Sequence, residues 1–202
     1  MTDKALLALY GLKYNPFVPA LPSEELWPLP GGEVFARRLE ALVHHGGFAV
    51  LTGDPGQCKS KTLQWIAARL ARLPDLTVGV MERPQSRLPD RFRTPELLPL
   101  GSRIRARLAL APLSPEELWA YLDFTLQEAG APQLMTSELS HTLVTHAHGN
   151  LRVLTHMAAE LLSAAAERNL PRIDETLYFE LFTPPARTPR RSRPLATPTL
   201  NA

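Results

Sequence analysis

Phe48-Ala49-Val50-Leu51-Thr52-Gly53-Asp54-Pro55-Gly56-Gln57-Cys58-Lys59-Ser60 is the stretch on which the reading of this chain turns. Phe48–Thr52 is a short apolar run bounded by turn residues, and it predicts a buried strand. Gly53 and Gly56 predict a tight turn after it. Lys59–Leu73 then carries Leu63, Ile66, Ala67 and Leu70 on one helical face until Pro74 stops it. Strand, glycine turn and helix in that order suit a polyphosphate, because the turn aims backbone N–H groups at the anion and the helix adds its positive end. The chemistry also needs a lysine for the β- and γ-phosphates and a hydroxyl one residue later for Mg2+. Lys59 and Ser60 stand at those places in G-x-x-x-x-G-K-[ST]. The candidate nucleotide-binding residues are therefore Gly53, Asp54, Pro55, Gly56, Gln57, Cys58, Lys59, Ser60 and Lys61. Ser60 is the candidate metal ligand, and ATP with Mg2+ is the expected cofactor.

One residue departs from the pattern, which has glycine where Cys58 stands. If that position needs a left-handed backbone, a side chain there costs about 1–3 kcal/mol. Taken from nucleotide binding, such a cost would weaken affinity roughly 10- to 100-fold. A thiol at a helix N-terminus beside Lys59 is also expected to acidify and to oxidise readily. The competing reading of the loop is a glycine-rich strand–helix turn that binds nothing.

Working outward, prolines mark the boundaries. Residues 13–30 hold five prolines among aromatics and predict an extended, packed arm. A helix is expected from about Glu33, with Phe35, Leu39, Leu42 and Val43 on one face and Gly46-Gly47 as its stop. Leu76–Met81 predicts a second buried strand, residues 83–101 an irregular segment, and Arg105–Leu110 a third strand. Beyond Pro112 the pattern is helical. Ser114-Pro115-Glu116-Glu117 is a capping box with proline at the first helical position. Further helices are expected from about Thr136 to Gly149 and from Asn150 to Arg168.

The 202 residues, 45% of them hydrophobic and 21% charged, fit an ordinary globular protein and allow one domain, or one domain plus a small helical subdomain. The single cysteine excludes an internal disulfide, and no run approaches the ~18 apolar residues of a membrane span. A cytoplasmic location is expected. The net charge of +2 becomes −2 once the four arginines of Thr183–Ala202 are set aside, so the body makes no electrostatic case for nucleic acid. The six histidines show no metal-ligand spacing, and Trp27, Trp65 and Trp119 read as packing residues.

Hydrolysis needs an apolar strand ending in Asp-Glu, to hold the metal through water and to position the attacking water. After Lys61 the sole Asp-Glu pair is Asp174-Glu175, which reads as a polar turn or helix start near Tyr178. Asp54, Asp75, Glu82 and Asp90 are lone acids, of which Glu82 is the nearest to a substitute.

Residues 10–17 (YGLKYNPF), the phosphate loop, Leu113–Leu126 (LSPEELWAYLDFTL) and His146–Arg152 (HAHGNLR) together resemble the ExeA/TniB-like AAA+ ATPases, proteins of secretion-complex assembly or DNA transposition. The resemblance implies an α/β fold, a P-loop NTPase sheet of AAA+ type with a C-terminal all-helical lid subdomain. It divides the chain into an arm (1–32), a P-loop core (33–112), a lid (113–182) and a Pro/Arg tail (183–202). It further implies that the aromatic arm lies by the adenine site, that Arg152 is a sensor arginine, and that Arg103 or Arg105 serves as an arginine finger for a neighbouring subunit. Where the family carries its acidic strand and a further strand, this chain has only Arg83–Pro99. Against a usual core of ~200 or more residues, on the order of 80 look absent, so the sheet is truncated. A truncated sheet either pairs anew or leaves the body marginal.

Three functions follow as alternatives. One is an ATP-hydrolysing switch that forms a homo-oligomer and drives assembly of a transposition or secretion complex. A second is a non-hydrolysing nucleotide-binding remnant. The third is an adaptor that meets DNA or a transposase without ATP turnover.

Overall fold

A computed structural model of the chain describes residues 3–18, 21, 25–74, 76–80 and 104–182. Asp75, Glu82, Asp90, Arg103, the segment 83–101 expected to be irregular and the 183–202 tail lie outside the described residues.

Helix α1 (Asp3–Tyr10) precedes the arm, and α2 (Gly32–Val43) follows it. Strand β1 (Phe48–Thr52) leads through the phosphate loop into α3 (Lys59–Leu70). Strand β2 (Ile104–Ala109) then leads into four helices: α4 (Pro115–Glu128), α5 (Ser137–Ala147), α6 (Leu151–Glu167) and α7 (Glu175–Phe182). No described helix is long and apolar enough to cross a membrane.

β1 and β2 pair in parallel, with Leu51 opposite Leu108 and Thr52 opposite Ala109. Parallel neighbours need a crossover between them, and α3 lies within it. α2 covers the pair from one side. Phe35 and Ala36 of α2, Ile66 of α3 and Ala106 of β2 form a small buried cluster. Arg69 fastens α3 to α2 through Glu40 at 2.6 Å, while its guanidinium lies over the Trp65 ring.

Two expectations about this layer are corrected. Leu76–Val80 is not a strand; among the described residues the sheet has two strands. β1 is also not buried, since every residue in it is exposed or half-exposed and Phe48 keeps 46% of its surface. The apolar run had implied sheet neighbours and cover that the described residues do not supply.

The helical region is packed otherwise. Leu118, Leu122, Leu139, Leu143, Leu154 and Leu161 are all essentially inaccessible, within one continuous core. Its helices start where expected. Ser114 and Glu117 complete a reciprocal capping box on α4, Thr136 caps α5, and Asn150 accepts the N–H groups of Arg152 and Val153 at the head of α6. The arm joins this core, through Leu6, Leu12 and Phe17 and a backbone hydrogen bond from Lys13 to Ala129. Asp174 caps the Leu177 N–H of α7, and Glu175 accepts the Thr142 hydroxyl, so Asp174-Glu175 opens a helix far from the loop.

Candidate functional site

The loop between β1 and α3 is closed on itself by two side chains. Gln57, itself buried, accepts the Asp54 N–H on its Oε1 at 2.5 Å. A Cβ on Gly53 would lie 2.6 Å from that oxygen, so glycine is required for the brace to form. Lys59 arches back over the turn and donates to the carbonyls of Gly53 and Asp54, each at 2.8 Å. An ammonium has three donors, so one remains for an incoming anion.

Cys58 adopts φ 55°, ψ 25°, the left-handed conformation that the pattern's glycine would supply. Its side chain packs against the helical core, alongside Trp27. The expected acidification of the thiol is corrected. Burial pushes the Cys58 pKa up, and the charges of Lys61, Arg152 and Lys59 offset that only in part. Burial likewise lowers the pKa of Lys61. An anion arriving beside Lys61 would push that pKa back up.

The start of α3 runs against the usual rules for a helix end. Cys58 makes no side-chain cap, the first turn holds no acid, and Lys59 and Lys61 place positive charge at the positive pole. Free N–H groups and cations together describe a place for an anion.

The head of α6 also closes on this loop, through Asn150. Gly56 has φ 93°, and a Cβ there would fall 2.2 Å from Oδ1 of Asn150. The Asn150 Nδ2 donates to the Pro55 carbonyl at 3.4 Å, while its Oδ1 caps α6. Gly149 packs as tightly on the link from β2: its carbonyl accepts the Leu113 N–H, and an added Cβ would meet Pro112 at 2.7 Å. Both contacts fix where the head of α6 stands over the loop, and with it Arg152.

Between loop, α6 and arm lies a cavity of about 510 Å³. Lys59, Ser60 and Lys61 line it from the loop, Arg152, Thr155 and His156 from α6, and Phe17 and Val18 from the arm. That volume falls in the range of small-molecule sites, roughly 300–1,000 Å³. Its floor is cationic and its far wall apolar, the division a nucleotide presents between phosphates and base.

Of the expected site residues, Gly56, Cys58, Lys59, Ser60, Lys61 and Arg152 line the cavity together. Gly53, Asp54, Pro55 and Gln57 build the turn beneath it. Arg105 is elsewhere. It stands at the opposite end of the sheet from the loop, beside Arg38 and His45 of the α2 end, where the register skips a residue between Ile104 and Ala106. From there it cannot serve its own chain's loop. Asn150, Val18, Thr155 and His156 were not singled out by the sequence. For Asn150 a signal existed, since an asparagine heading a helix after a glycine is a cap.

Mg2+ fits this donor set poorly. The ion takes oxygen ligands in octahedral array, commonly with carboxylates. Among the described residues lining the cavity there is no carboxylate, and the Thr155 hydroxyl is turned to the Leu151 and Arg152 carbonyls. Among the described residues no group of three or more His, Cys, Asp or Glu could hold a metal ion. No family model, curated protein or solved structure matches the chain.

Proposed function

We propose that this chain is a nucleotide-binding protein that takes ATP between the phosphate loop and the head of α6. The observation that carries the reading is the single cavity shared by Lys59, Ser60, Arg152 and Phe17, residues from three separated stretches of sequence. Lys59 would hold the β- and γ-phosphates, the uncapped N–H groups of α3 would cradle them, Arg152 would contact them from above, and the base would rest toward Phe17 and Val18. On this reading the fold is a truncated P-loop NTPase of AAA+ type with residues 113–182 as its lid, working in the cytoplasm where thiols stay reduced.

Binding without turnover is the form we favour. The Asp-Glu pair that hydrolysis would need serves α7 instead, through the Asp174 cap and the Thr142–Glu175 hydrogen bond. Homo-oligomers, and transposase, DNA or secretion-complex partners, belong to the ancestral activity that the resemblance implies. The position of Arg105, remote from its own loop, favours a neighbouring subunit as its only nucleotide partner.

The test is thermal unfolding with and without ATP. At a ligand concentration about 100 times Kd, binding to the folded state alone adds roughly 2.7 kcal/mol. The shift should vanish in Lys59→Ala, and no phosphate should be released by either protein. An unaltered unfolding curve with millimolar ATP would refute the proposal.

A further inference from the structure

The lining of the cavity bears on the form of the nucleotide, an inference that rests on the reading just given. Three cationic side chains, Lys59, Lys61 and Arg152, surround the space above the loop. No described carboxylate lines it, and the nearby Glu160 is turned to His156, with its Oε1 3.5 Å from the imidazole. Where a phosphate loop works with a metal, the ion neutralises charge between the β- and γ-oxygens, and an acid on a neighbouring strand holds the ion in place. Here the acid is missing from the described lining, and cations stand where phosphate charge would gather.

We propose that the site takes its nucleoside polyphosphate free of metal, with Lys59, Lys61 and Arg152 as the counter-ions in place of Mg2+. Electrostatics favour that form twice over. A metal-free triphosphate carries more negative charge than its magnesium complex, so it gains more from three fixed cations. A dication brought into the same space is repelled by those cations, and among the described loop residues lining the cavity the Ser60 hydroxyl is the sole side-chain oxygen ligand. The ligand class is therefore a free nucleoside di- or triphosphate, which would make the protein a holder or sensor of nucleotide.

Calorimetric titration of ATP into the full chain, once in EDTA and once in excess Mg2+, tests this. The expected result is binding in EDTA at least as tight as in Mg2+. Lys61→Gln and Arg152→Gln should each weaken binding in EDTA about tenfold, which corresponds to roughly 1.4 kcal/mol. Unfolding curves of both variants without ligand separate a lost counter-ion from a lost fold, and the comparison of buffers on the unaltered protein stands without them. Binding tenfold or more tighter in Mg2+ would overturn the metal-free form while leaving nucleotide binding in place. No heat in either buffer would remove both.

Discussion

The starts of α3 and α4 are built in opposite ways. α4 opens with a reciprocal Ser114–Glu117 capping box, proline in its first turn and two glutamates at its positive pole. α3 opens on a left-handed cysteine with no cap, no acid and two lysines at the same pole. The contrast extends to what each helix packs on. α4 joins a continuous core of inaccessible leucines, while α3 shares a cluster of four buried residues and leaves Leu63 half-exposed. Close packing is thus concentrated in the helical region and is sparse on the phosphate-loop side. A helix end that is poor as structure is good as an anion site, because the unsatisfied N–H groups and the excess charge are what an anion would satisfy.

The largest test of that contrast is in the cores. Leu161→Ala should cost about 3–5 kcal/mol in denaturant unfolding, because Leu161 is wholly enclosed. Leu63→Ala, on the exposed face of α3, should stay within roughly 0.5 kcal/mol. Equal losses at the two sites would show that the contrast in packing is not one in energy.

A middle-sized test concerns Cys58. Its backbone is left-handed in the folded chain, a conformation in which a side chain is strained. Cys58→Val, β-branched in a conformation such residues avoid, should lose about 2–3 kcal/mol of stability. Cys58→Gly should relieve strain but forfeit the packing against the helical core, leaving stability and ATP affinity nearly unchanged. A tenfold gain in affinity for the glycine variant would show that the strain weighs on binding instead.

The smallest effects separate structure from function most sharply. Ser114→Ala should lose about 1 kcal/mol with its cap. Ser60→Asp places an acid in the first turn of α3 and should stabilise the ligand-free protein by roughly 0.3–1 kcal/mol. The same change should abolish ATP binding in calorimetry, since it puts negative charge where phosphate would lie. A destabilised Ser60→Asp protein would contradict the view that this helix end is left unsatisfied.

Much of the helical region was legible in the residues because its signals are local. Ser114, Thr136 and Asn150 each cap within three residues of themselves, and the leucine spacing of α4–α6 follows the helical period. β2 was found within one residue of its extent. Helix α1 was not anticipated, and the burial of β1 was misjudged because an apolar run reports a preference for cover and not its presence. At the site, the loop residues could be named from spacing alone, but the Asn150–Gly56 approach could not, since nothing local links those positions.

The order strand–loop–helix, the placement of Lys59 and Ser60, and the caps of the later helices were decided by the sequence, because each depends on neighbours a few residues away. The left-handed backbone at Cys58, the raised pKa of its thiol and the distance of Arg105 from the loop were decided by tertiary structure. So was the meeting of Phe17, Lys59 and Arg152 around one cavity. Pro55 and Asn150 are 95 residues apart in the chain, and what joins them is the packing of whole elements, which no short-range preference encodes.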